Sequence, residues 1–341
     1  MLVTPADESA RAELKRADGS IRRTVTVDGH RRDAGTGRIC VSGRARDLVT
    51  AADGRCLEVA ALTLDLEISP EPAYIITSIA ASPDVADLAS LVGTSARHGL
   101  RWRVTELDLG PGDRTLLLRV LQDVPAVASL SRLALLHGPG DDGQSYRPQG
   151  PGLGDRVDIC AGWAAGSSMN LLVEDGHSSV RDHRDVPAPA APADDVLASH
   201  PAAELQVGDF RRRRRLDVAP VVRPERAPDD DLVELDAMFR DSFVGWDGVE
   251  RVEHEYRLRA TLHRPTNTFT RSVAVPIVLP ATECPLARDS ASRLIGRPVT
   301  ELSSIRKVLT GPTTCTHLTE ALHGYADVPS LLALLSSSEE D

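Results

Sequence analysis

The chain has 341 residues, 41% of them hydrophobic, 26% charged and 3% aromatic, which is enough apolar material for two globular domains and excludes disorder over most of the length. Its 39 Lys plus Arg against 50 Asp plus Glu leave a net charge of -11, which argues against a surface built to neutralise nucleic-acid phosphates. No stretch approaches the roughly 18 apolar residues of a membrane span, and the few aromatics offer no platform for stacking bases.

In chain order, residues 1–19 alternate charged and small side chains with no apolar segment of the kind a secretory signal needs, so they read as an N-terminal tail. The five cysteines, Cys40, Cys56, Cys160, Cys284 and Cys315, are odd in number and scattered, the pattern of free thiols in a cytoplasmic protein. From residue 20 the order is strands first and helices last. Arg22 and Arg23 open the first strand, and Leu62, Leu64, Leu66 and Ile68 alternate with Thr63, Asp65 and Glu67, the period of a strand with one buried face. Glu58 reads as the exposed start of that strand. AYIITSIAA continues the strand series, and DVADLASLVGTSARHG and DRTLLLRVLQDV carry helical periodicity.

The region 137–209 changes character twice. A Gly/Pro loop begins at His137; its GPGDDG, Gly138 to Gly143, has the letters of a dinucleotide-binding G-x-G-x-x-G, but it opens no helix and its aspartates would repel a pyrophosphate. A short apolar island around Cys160 and Trp163 is expected to pack on the preceding unit, and a Pro/Ala linker follows from Arg184. Within 210–337 the run Arg211 to Arg215 opens a strand and reads as a solvated, ion-paired edge. The strand Val252 to Leu262 sets His254 among apolar residues, Pro276 marks an edge or a bulge because it cannot donate to a ladder, and LARDSASRLIG and HLTEALHGY are helical.

The two units repeat one another. HRRDAGTGRICVSGRARDL from His30 lies over PERAPDDDLVELDAMFRDS at an offset of 194, pairing Arg32 with Arg226, Arg46 with Arg240 and Asp47 with Asp241. The next strand matches at 196, placing His254 opposite Glu58; the segments ending at Gly93 and Gly296 match at 203, and DVPAVASL and DVPSLLAL at 204. The expectation is an α+β protein of two tandem copies, 20–136 and 210–337, each an antiparallel sheet with C-terminal helices, facing one another as an intrachain pseudo-dimer.

Cysteine and histidine chemistry is concentrated in the second copy. Cys284, Cys315, His254 and His317 are residue types that bind zinc, although Cys315 and His317, two apart, point about 200° from each other within a helix and share a site only if Cys315 precedes it. Gly311-Pro312 makes that placement reasonable, with Thr313 or Thr314 as N-cap. The same placement suits catalysis, since a thiol at a helix N-terminus is favoured as thiolate, with His317 or His254 as general base and Arg226 and Asp241 as substrate-binding groups. Packing is the third reading of these side chains.

Arg226, Asp241, His254, the ECP around Cys284, the LIG ending at Gly296 and the TCTHLTE of Thr314 to Glu320 resemble the uncharacterised bacterial family known as domain of unknown function 2889 (DUF2889). Ala227 and Pro228 depart from that family's usual Asp-Gly pair, whereas the first copy keeps Asp33 and Gly35. The resemblance brings no established reaction. The sequence reading is a small-molecule lyase or hydrolase with a Cys/His site in the second copy; the alternative is a non-catalytic binding or scaffold protein in which the cluster is a structural zinc site or plain core. Whether the protein is an enzyme, what its oligomeric state is and which substrate it takes stay open at this stage.

Overall fold

The computed structural model describes residues 15–31, 37–107, 114–130, 157–174, 195, 197–200, 203–221 and 232–338. Arg226, the 138–143 loop, and Asp33, Gly35, Ala227 and Pro228 lie outside them.

Eight antiparallel strands form one sheet: β1 (Ser20–Arg31), β2 (Ile39–Thr50), β3 (Cys56–Ser69), β4 (Ile75–Ser82), β5 (Phe210–Pro220), β6 (Leu232–Val244), β7 (Glu250–His263) and β8 (Thr268–Val278). Their order is β4-β3-β2-β1-β5-β6-β7-β8, two four-stranded meanders joined by antiparallel pairing of β1 with β5. The helices are α1 (Leu100–Glu106), α2 (Arg114–Leu130), α3 (Ser168–Glu174), α4 (Ile305–Val308), α5 (Thr316–His323) and α6 (Val328–Ser338), with a 3-10 run at Cys284–Leu294. The architecture is α+β. No helix among the described residues is long and apolar enough to cross a membrane.

The helices cover one face of the sheet. Leu62, Leu64, Leu66 and Ile68 turn toward α2, whose Leu116, Leu117, Val120, Leu121, Val124 and Val127 repeat at helical spacing and are buried. Fully burying such a side chain contributes about 1.5–3 kcal/mol. The helix comes so close to β2 that a Cβ on Gly43 would stand 2.3 Å from Val120 Cγ1. Each meander's core borrows from its neighbour: Phe210 and Phe243 pack with the first, Ile21 and Val49 with the second.

Three expectations are corrected. The Arg211–Arg215 run is no solvated edge; β5 is central, paired with β1 and β6, and Arg211, Arg212, Arg214 and Arg215 are buried. A strand alternates these arginines between two faces, and each face supplies acids. Arg211 grips Asp28 across the seam at 2.7 and 2.8 Å, while Arg22 grips Asp217 at 2.5 and 3.1 Å. Such Arg–carboxylate forks are the geometry that best offsets desolvation of buried charge.

The Cys160 island packs on the second meander rather than the first: Ala161 N–H donates to the Thr314 carbonyl at 2.8 Å, and Ser168 donates from N and Oγ to Glu283 at 2.9 and 2.7 Å. Finally, the residue that faces Asp47 as His254 faces Asp241 is Ala60, not Glu58. Asp47 faces Ala60 and Asp241 faces His254, each followed by a one-residue register shift, and the bulge turns Glu58 outward beside Arg46. Pro276 lies on the edge strand β8, directly after another register shift.

Candidate functional site

The site is built on β5, β6, β7 and the first turn of α5. β6 and β7 pair Asp241 with His254 on the helix-covered face. Cys315 is extended (φ -134°, ψ 129°) and stands immediately before α5, so it escapes the opposed directions that two residues in one helix would have. The N-cap is therefore Cys315 and not a threonine; Thr314 closes the preceding turn onto Gly311. Thr319 returns both its N–H and its hydroxyl to the Cys315 carbonyl at 2.9 Å, fixing the helix start.

His317 then lies in the first turn, half-buried, with its ring flat on that of His254. The centroids are 3.6 Å apart and the planes inclined by 21°. His254 Nδ1 lies 3.3 Å from Asp241 Oδ2, and ligand atoms of Asp241, His254 and His317 all fall within 4.8 Å of one another. Asp241 is completely buried, and Arg212 donates to both its oxygens, at 2.7 and 2.8 Å. Burial opposes ionisation of Asp241, yet Arg212, and after it His254, hold its carboxyl well below the usual carboxylate range. A continuous line of ionisable side chains therefore runs Arg212, Asp241, His254, His317, with only its last member reaching solvent.

Two positive charges 3.6 Å apart repel by about 5 kcal/mol at an effective dielectric of about 20. Charge on both rings at once is therefore opposed by that repulsion, and the Asp241 carboxylate stands beside His254. The same stacking speaks against a shared ion. A metal shared by both rings would lie near both ring planes at roughly 2.0–2.1 Å from a nitrogen of each, a position that rings stacked with centroids 3.6 Å apart and planes inclined by 21° do not favour.

The two thiols expected in this set are not among its grouped ligand atoms. Cys315 is 4% exposed; burial pushes its thiol up, while the Tyr256 hydroxyl and the Leu318 and His317 N–H groups pull the other way. That net direction is opposite to the depressed value of an activated nucleophile. Cys284 packs with Met169 and Ala281 against Gly162, where a Cβ would stand 2.8 Å from its sulfur. Tyr256, two residues beyond His254 on β7, joins this sulfur-rich patch; burial, then Cys315, Cys284 and Cys160, raise its phenol well above the ordinary value.

Sequence reasoning missed three further side chains. Arg212 was absorbed into a charge run. Asp123 on α2 binds Arg214 at 2.6 Å through both oxygens and Arg212 at 3.3 Å. Glu320, one turn after His317, is gripped by Arg101 of α1 at 2.9 and 2.8 Å and by Arg306 of α4, while burial raises its carboxyl. The repeat itself held a signal for Asp123, which matches Asp327 at the 204 offset. Asp241, anticipated as substrate-binding, instead meets Arg212 and the imidazole.

Comparison with curated proteins finds no match. Among solved structures, the crystal structure of lipopolysaccharide binding protein aligns over 94% of this chain and 91% of that one at 9% identity, with a TM-score of 0.15, too low to carry any inference about fold. Residues 210–330, from the start of β5 into α6 and so including the entire Asp241, His254 and His317 centre, match the family described as protein of unknown function (DUF2889).

Proposed function

We propose that the chain is a cytoplasmic small-molecule enzyme, a hydrolase or lyase, whose proton-handling centre is His317 backed by His254 and Asp241. One observation carries this reading: a buried Arg212–Asp241 ion pair leads through a buried imidazole to a half-buried one. In that arrangement His317 takes a proton from a substrate or from water, and the stacked ring and the Asp241 carboxylate stabilise the charge that results. Cys315 anchors the α5 N-terminus, and its buried thiol keeps its proton.

The proposal includes an internal duplication, with copies 20–136 and 210–337 arranged as a pseudo-dimer within one sheet. Matched forks support it: Arg23 holds Asp47 at 2.8 and 2.6 Å as Arg212 holds Asp241. Gly93 donates its N–H to Ile76 as Gly296 does to Phe269, both glycines at positive φ, 84° and 80°. In the first copy Ala60 replaces the histidine, which leaves one centre for two copies.

The test is a turnover screen of the purified chain against esters, lactones, amides and β-elimination substrates. Turnover by the wild type that falls at least about 100-fold in His317→Ala, in line with loss of a general acid or base, supports the reading. Turnover unaffected by His317→Ala overturns it. The alternative is a binding or scaffold protein in which the set is core or a structural zinc site; stoichiometric zinc lost together with folding in Cys315→Ser would favour it.

A further inference from the structure

We propose that Asp123, on α2 of the first meander, is a positioning residue for the Asp241, His254 and His317 centre of the second; this rests on the proton-handling reading above. Arg212 links the two carboxylates. Its Nε and Nη2 are committed to Asp241, its Nη1 faces Asp123 at 3.3 Å, and its guanidinium lies 4.7 Å from the Phe239 ring centroid. Arg214, two residues along the same strand and on the same face, lies over that ring too, at 4.8 Å. Two buried arginines thus stand beside the carboxylates of Asp123 and Asp241, with Glu320 near both arginines but gripped by Arg101 and Arg306.

Asp123 decides which arginine goes where. It binds Arg214 through both oxygens at 2.6 Å and keeps that guanidinium off Asp241, leaving Arg212 alone to set the carboxylate that meets His254. Without Asp123, Arg212 and Arg214 would be left with Asp241 and with a Glu320 carboxylate already gripped by Arg101 and Arg306, and the Asp241 oxygens would be drawn away from the imidazole. The first meander therefore completes the second meander's centre, although its own Arg23–Asp47 fork meets Ala60 and has no imidazole.

The molecule contains a matched control. Asp327, at the end of the second meander, binds Arg119 at 3.0 and 2.8 Å and Arg23 at 3.1 Å, the mirror of Asp123 with Arg214 and Arg212. Its loss removes an equivalent buried anion one step further from His254, since its partner Arg119 acts on Asp123 whereas Asp123 binds Arg212 directly.

The experiment is NMR of the full chain with ¹⁵N-labelled histidine, reading the His254 and His317 ring nitrogens and the downfield Nδ1–H proton; it needs no substrate. Asp123→Asn is expected to move or abolish the His254 Nδ1–H signal and shift both rings' ¹⁵N resonances, while Asp327→Asn, one step further back, moves them far less. Unmoved resonances in Asp123→Asn, or equal changes in both variants, would overturn the proposal. If Asp123→Asn does not fold, Asp123→Glu and Asp327→Glu, which keep the charge but displace it by one methylene, give the same contrast. Failure here with His317→Ala still abolishing turnover rejects only the positioning role. Success here with turnover indifferent to His317 rejects the enzymatic reading alone.

Discussion

His254 and His317 come from different elements, β7 and α5, yet their rings lie flat on one another with centroids 3.6 Å apart. Their fates on substitution should differ. His317 is half-buried, so His317→Ala should cost under about 1 kcal/mol of stability while removing turnover. His254 is 3% exposed, and His254→Ala should lower both. Paired denaturation and turnover measurements on the two variants check this.

Removing one partner of the Arg212–Asp241 fork should be expensive. Both side chains are at most 1% exposed, and Asp241→Asn leaves a buried guanidinium undercompensated, at a cost of about 3–5 kcal/mol. Urea unfolding at neutral pH gives the value; a loss under about 1 kcal/mol would mean that Asp123 alone satisfies Arg212.

Acid should unfold the protein in two stages. Burial, then Arg46, depress His200 to about 4, and burial, then Arg119, depress His323 to about 3, so the folded state excludes protons that the unfolded chain accepts below about 6.5. Their contribution is complete above about 6.5 and is lost as pH falls toward 4 and 3. A second stage follows below about 3.9, where the unfolded chain protonates Asp327, which its arginines hold down to about 2 against the opposing effect of burial. Denaturant midpoints from pH 7 to 4 should fall, and His323→Gln should flatten that slope.

Alkylation should sort the thiols by burial. Cys40 and Cys56 are partly exposed, while Cys160, Cys284 and Cys315 are buried, so mass spectrometry after brief iodoacetamide treatment at neutral pH should find label on the first two. Because burial raises Cys315, the folded state favours its thiol, and that contribution is complete below the unfolded value near 8.5 and lost as pH rises above it. Early labelling of Cys315 would restore it as a nucleophile.

Gly43 tests the closeness of α2 to the sheet. A methyl group 2.3 Å from Val120 Cγ1 forces the helix or strand to move, so Gly43→Ala should cost about 1–3 kcal/mol, and Val120→Ala in the same chain should recover part of it.

The alternation at Leu62 to Ile68 and the helical spacing of Leu116 to Val127 were legible because each reports a local period and a single buried face. The arginine run was not. Asp217 follows on the same strand, but the run's other acids, Asp28, Asp123, Asp236 and Asp241, come from other segments, and a buried fork cannot be told from a solvated charge without them. The correspondence of His254 was misjudged by two residues because each meander has a bulge at this point, which a register read from letters alone does not locate. Asp241 and His254 were both singled out by sequence, but their contact depends on the β6–β7 register and their joining to His317 on where α5 begins.

The seam between β1 and β5 reads the same from either end: Arg22 opposite Asp217, Asp28 opposite Arg211. Chains severed between the meanders would expose β1 as a bare edge already lettered for self-recognition, since a second β1 laid antiparallel could set Arg22 against Asp28 with Val25 opposite Val25. Covalent continuity between the halves thus guards against mispairing: it holds the correct mate at high local concentration and makes strangers poor competitors.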